Sequence, residues 1–92
     1  MDSASSGPTV IQAADTWPIR LQPNPGHEAV QVIQPQAQPV VITVFDAWGR
    51  QVWSGQSHRR STRLDAAAWP VGWYLVRVEG RAGQRTLRWW KR

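Results

Sequence analysis

No stretch of this chain sustains the period of a helix: apolar and polar residues alternate over short runs, and Gly, Pro, Asn and Ser break the runs at close intervals. A chain punctuated in this way can bury its apolar residues only by pairing short strands into sheets. The runs are 16–22, 28–34, 39–46, 51–54, 61–65, 72–79 and 84–91, and these seven at this spacing predict an all-β sandwich. Residues 65–69 have helix propensity, but Pro70 stops any helix there after about one turn.

Each breaker has a mechanical reason. Pro23, Asn24 and Pro25 end the first run because the prolines remove ladder donors, and Gly26 follows as a turn residue. Asp46 to Gly49 reads as a hairpin loop, in which the Asp46 carboxylate accepts from backbone N–H groups ahead of it and Gly49 supplies a left-handed residue. Pro70, Val71 and Gly72 turn the chain into the strongest run, and Gly80 to Gly83 reverses it into the last. The period of two puts Val40, Ile42 and Val44 on one inward face and Tyr74, Val76 and Val78 on another, with Trp73, Leu75 and Arg77 pointing away. In the last run, parity places Trp89 and Trp90 on opposite faces without saying which is inside.

A chain of 92 residues holds one compact domain. Residues 1–14, rich in Ser, Ala, Gly and Pro, read as a flexible linker, and the fold is expected over 15–92. Met1 to Pro8 carries an acid where a secretory leader carries basic residues, and no apolar stretch follows, so it does not read as a signal peptide. The longest apolar runs, 40–42 and 73–76, fall far short of a spanning helix, and no integral membrane segment is expected. Without cysteine the chain has no disulfide and no thiolate metal site, so a core this small leans on its seven tryptophans. Trp17, Trp48, Trp53 and Trp69 accordingly read as packing residues. The net charge is +5, and six of the eleven basic residues lie between Arg77 and Arg92, opposed there only by Glu79. That strip reads as the solvated face of a strand whose charges discourage edge pairing, ahead of a site for anions.

The inventory for catalysis is poor. Neither His27 nor His58 has an Asp or Glu nearby at metal-ligand spacing, so no metal and no cofactor is expected. Ser57 and His58 are adjacent, which points them apart in an extended strand and makes no nucleophile–base pair. Asp15, Glu28, Asp46, Asp65 and Glu79 are scattered, several of them at turns where capping accounts for them. The chain is not expected to be an enzyme. Arginines interleave with aromatics from Arg77 to Trp90 as they do in single-strand binders, yet neither an oligonucleotide-binding strand pattern nor an RNP-type motif is present. Nucleic acid is therefore not an expected partner.

Taken in order, a strand ending in Pro23-Asn24-Pro25, a hydrophobic strand into Asp46 to Gly49, a Leu64-Asp65 strand, the run Gly72 to Val78, then Gly83, Thr86 and the basic Lys91-Arg92 make a recognisable set. The set resembles the type A C-terminal sorting domain of type IX secretion (Por secretion) cargo proteins of Bacteroidota, over about residues 16–92. Two features depart from the usual pattern: Trp89 and Trp90 stand where the family has aliphatic residues, and Arg88 where it often has lysine.

The resemblance implies a seven-stranded immunoglobulin-like antiparallel β-sandwich that works as an address label for an upstream cargo domain in cis. It implies passage through the periplasm, recognition by an outer-membrane translocon and its shuttle protein, and arrival at the outer-membrane surface or outside the cell. Removal by a sortase-like cysteine peptidase would fall in the linker before Trp17. Mapped onto this sequence, translocon recognition falls on Gly72, Tyr74, Val76, Val78, Thr86, Arg88, Lys91 and Arg92, with Pro23, Asn24, Pro25, Asp46, Gly49 and Gly83 as structural turn residues. Tyr74, Val76 and Gly72 are equally what a buried strand and its turn require, whereas Lys91 and Arg92 are expected outside the core. The last run, 84–92, is expected to be an edge strand that the machinery contacts by strand addition. The rival reading is a carbohydrate-binding or adhesive sandwich with Trp73, Trp89 and Trp90 as a stacking platform.

Overall fold

Strand propensity and turn chemistry act together from Trp17 onward, and the computed structural model describes residues 17–92. The strands are β1 (Arg20–Gln22), β2 (Ala29–Ile33), β3 (Val40–Asp46), β4 (Gln51–Ser57), β5 (Ser61–Asp65), β6 (Gly72–Gly80) and β7 (Gly83–Lys91). They form a three-stranded sheet in the order β1-β2-β5 and a four-stranded sheet in the order β4-β3-β6-β7. Every strand pair is antiparallel, which gives the all-β sandwich that the spacing predicts, in the immunoglobulin-like form that the resemblance implies. The expected linker, 1–14, and the expected start of the fold at residue 15 lie outside the described residues.

Parity builds the core. Val40, Ile42 and Val44 of β3 and Tyr74, Val76 and Val78 of β6 are buried against Val30 and Val32 of β2 and Leu64 of β5. Trp17, Ile19 and Trp89 complete the cluster, with Trp53 and Trp69 packed at its margin. Trp48 departs from expectation: it is 83% exposed. It occupies the tip of the β3–β4 loop, where there is no sheet face for an indole to cover.

Two strand limits also differ from the sequence reading by more than one residue. β1 begins only at Arg20, after Pro18, which has no N–H to give a ladder, while Trp17 and Ile19 are buried ahead of it. β4 continues past Gly55 to Ser57, paired with β3 as far as Val40. The Trp53 ring lies over Gly55, and a Cβ there would stand 2.7 Å from the indole.

Tyr74 shows how the core is tied to the loops. Its hydroxyl donates to the Pro70 carbonyl oxygen at 2.6 Å, fixing the turn that leads into β6, as the tyrosine corner of immunoglobulin-like domains does. Trp69 and Trp89 pack around its ring, with centroids 5.2 and 6.2 Å away. Burial, and behind it the Asp46 carboxylate, raises the Tyr74 phenol above its ordinary pKa, so the hydroxyl remains a donor.

Candidate functional site

The β6–β7 hairpin organises the surface on which the sequence places recognition. Gly80 pairs with Gly83 across a two-residue turn, and the register continues to Gly72 opposite Lys91. In an antiparallel pair, hydrogen-bonded and non-hydrogen-bonded pairs alternate from such a turn. The N–H and C=O groups of Gln84, Thr86, Arg88 and Trp90 therefore face away from β6, towards the outer edge of the sheet.

Half of that edge is already taken by the chain itself. The Asn24 amide donates to the Arg88 carbonyl oxygen at 3.0 Å and accepts from the Trp90 N–H at 3.2 Å, so a side chain does the work of a strand's backbone. Gly26 continues the pairing: its N–H donates to the Trp90 carbonyl at 2.9 Å, and its carbonyl accepts from the Arg92 N–H at 2.8 Å, a parallel bridge opposite Lys91. Asn24 is suited to this because Pro23 and Pro25 beside it have no N–H of their own to offer. Nδ1 of His27 lies 2.9 Å from the Arg92 carbonyl oxygen. The proline-rich turn after β1 is thus a latch on the terminal strand.

The latch also settles which tryptophan is inside. Trp89 is 0% exposed, its indole N–H donating to the Pro23 carbonyl at 2.6 Å. Gly26 leaves the room, since a Cβ there would come within 2.5 Å of the indole. Lys91 shares Trp89's parity and follows it inward. At 4% exposure it is a buried residue, not the solvent-facing one expected from its charge, and its ammonium donates to the Arg92 carbonyl at 3.3 Å.

The residues on which the resemblance places recognition consequently divide. Tyr74, Val76 and Val78 are in the core, and Gly72 is the half-buried first residue of β6, with φ +150°, a conformation that side-chain-bearing residues rarely adopt. Thr86, Arg88 and Arg92 are exposed. Pro23, Asn24 and Pro25 form the latch, Gly83 closes the β6–β7 turn, and Asp46 and Gly49 form the β3–β4 loop. In that loop the Asp46 carboxylate accepts from the N–H groups of Trp48 and Arg50 and from the Arg50 guanidinium, each at 2.9 Å. Desolvation raises the Asp46 pKa, but the Arg50 and Trp48 contacts outweigh it and hold the carboxyl below its ordinary value of 3.8.

Outside the sandwich, the four-stranded sheet presents aromatic rings under arginines. The Arg88 guanidinium lies 4.9 Å from the Trp73 ring centroid, Trp73 packs on Trp90 at 4.9 Å, and the Arg77 guanidinium lies 5.0 Å from the Phe45 ring. Trp73 is 46% exposed. Together with Asn24 and Pro25, Trp73, Arg88 and Trp90 line an open groove of about 510 Å³ where the latch meets the hairpin. Of these, only Arg88 is among the recognition residues the sequence suggests. Trp73 lies at opposite parity to the buried set of β6, and that parity is the signal that finds it; Trp90 is found only once Trp89 is known to be inside. The rival stacking platform loses Trp89 to the core, and Arg88 covers part of Trp73. Among the described residues, no three His, Asp or Glu side chains gather as a metal-binding group, and no helix is long and apolar enough to cross a membrane.

The fold agrees with what known proteins offer for comparison. No curated protein matches the chain. A solved structure of PorZ, described as an essential bacterial surface component of the type IX secretion system of Porphyromonas gingivalis, superposes with a TM-score of 0.70 at 18% identity. The match covers 98% of this chain and 13% of that one, so it speaks for the fold. The sequence profile of the secretion system C-terminal sorting domain matches residues 20–91, from the first residue of β1 to the last of β7. With strand order, tyrosine corner and terminal hairpin in place over that same span, the chain belongs to the family of type IX secretion C-terminal sorting domains.

Proposed function

We propose that this domain is the export label of a cargo joined to its amino-terminal side, and that the type IX machinery reads the outward face of β6 and β7. The observation that carries the reading is the division of the hairpin. Its inward residues are consumed by the core, while Trp73, Thr86, Arg88 and Trp90 stand together on the outside of strands that the family profile spans to the end. Arg and Trp are among the residue types that most often dominate binding energy at interfaces, and here Arg77 and Arg88 are each held over a ring before any partner arrives. An outer-membrane translocon with its shuttle protein would take the domain from the periplasm, and the cargo would finish at the cell surface or in the medium. A sortase-like cysteine peptidase would then cut ahead of Trp17.

The test is a fusion of residues 15–92 to a periplasmic reporter in a host with an active type IX system. The reporter is expected outside the cell. Trp73→Ala combined with Arg88→Glu is expected to lower export by at least about tenfold while the domain still folds, since neither side chain belongs to the core. A reporter that stays in the periplasm with the intact domain, or leaves normally once β7 is deleted, would overturn the reading.

A further inference from the structure

Four strand edges border the two sheets, and they are not equivalent. β1 has three residues and β5 five; β4 has seven, but its pairing with β3 is broken by a bulge at Val44/Phe45, a device that discourages edge-to-edge association. β7 has nine residues in unbroken register with β6. From Arg88 onward its outer edge carries the latch. From Gln84 to Arg88 the outward N–H groups and the carbonyls of Gln84 and Thr86 have no backbone partner among the described residues. The side chains beside this open stretch, Gln84, Thr86 and Arg88, are all exposed.

The charge around the stretch is one-sided. On the hairpin Arg81 and Arg88 are exposed, Arg85 donates to the Trp17 carbonyl at 3.1 Å on the inner side, and the one carboxylate, Glu79, lies 3.6 Å from the Arg77 guanidinium. A second copy of the chain would be a poor occupant: antiparallel pairing of two β7 edges about Thr86 sets Arg88 opposite Gln84 and Arg85 opposite Leu87, so the positive stretch gains no carboxylate from its twin. An extended segment with carboxylates on alternate residues meets the same edge with opposite charge.

We propose that the open Gln84–Arg88 stretch of β7 is a strand-addition site for an extended acidic segment of a partner protein, and that the Asn24–Gly26 latch sets its limit by occupying the rest of the edge. Main-chain hydrogen bonds to Gln84, Thr86 and Arg88 supply affinity, and Arg88 supplies the preference for carboxylates. The inference rests on the sorting reading and adds the chemistry of what is bound.

The test uses the whole 92-residue chain and two short synthetic peptides, one alternating Glu with Val and one alternating Lys with Val. The acidic peptide is expected to slow amide exchange at Gln84, Thr86 and Arg88, to bind more weakly as salt rises, and to bind at least about tenfold tighter than the basic one. Thr86→Pro removes an outward N–H without touching the ladder to β6 and is expected to abolish this protection. Arg88→Glu, which gives up the contact with Trp73 but leaves core and ladder intact, is expected to weaken acidic-peptide binding by about tenfold should the proline variant fold poorly. Absence of protection at about millimolar acidic peptide, protection on β4 or β5 instead, equal binding of the basic peptide, or pairing of two chains through β7 would each overturn the proposal. The reporter assay separates the two claims. A folded Thr86→Pro domain that still exports its reporter sinks strand addition alone, whereas an intact domain that exports nothing sinks the sorting reading beneath it.

Discussion

Gly26 has no chemistry of its own, yet the placement of the terminal strand depends on it. Its missing side chain is the space that the Trp89 indole fills, with the Pro23 carbonyl 3.0 Å from where a Cβ would lie. Both neighbours are fixed, the indole by burial and the carbonyl by the hydrogen bond it accepts. Gly26→Ala is therefore expected to destabilise the domain by about 1–3 kcal/mol, read from the urea midpoint at unchanged slope. Asp46 acts through charge. Its folded-state pKa is depressed, so its stabilising effect is fully present above the unfolded value and disappears as pH falls through the folded one, below 3.8. Asp46→Asn is expected to be less stable than the wild type at neutral pH, and thermal melts of the two should converge as the pH is lowered through that range. A gap that stayed constant down to strong acid would show that the loop does not depend on the carboxylate's charge.

Among the elements, β7 is the one whose two halves differ. The half near the hairpin turn pairs its backbone with β6 alone, and the other half is held at both edges, by β6 and by the latch. Asn24→Ala removes a donor and an acceptor to β7 and is expected to cost about 1 kcal/mol. Amide exchange should quicken at Trp90, whose N–H points to Asn24, and stay slow at Leu87 and Trp89, which face β6. The same element shows where sequence reasoning stops. Strand limits and the inward sets of β3 and β6 are legible because alternation is a local property. The choice between Trp89 and Trp90 is not, because both parities bury one tryptophan. A glycine and a carbonyl more than sixty residues upstream in sequence decide it. Once Trp89 is inside, Lys91 follows, against the expectation from its charge. Trp48 is misjudged for the opposite reason: indole area predicts burial only where a sheet face lies beneath it.

At the scale of the whole molecule, the sandwich separates two duties that the sequence interleaves residue by residue. Inward positions of β6 and β7 hold the sheets together, and outward positions carry the arginine–aromatic face, so the recognition residues suggested by resemblance contain members of both sets. Family resemblance names the strands on which recognition is expected but cannot say which way each side chain points, and register against β3 and β6 supplies that. The exposed groove is also absent from any single segment: Asn24 and Pro25 come from one end of the fold, and Trp73, Arg88 and Trp90 from the other. A polypeptide is made with position 24 long before position 88. An unfinished product, or one cut short ahead of the final ribbon, never assembles this surface, so whatever inspects it would pass over incomplete chains without any separate means of rejecting them.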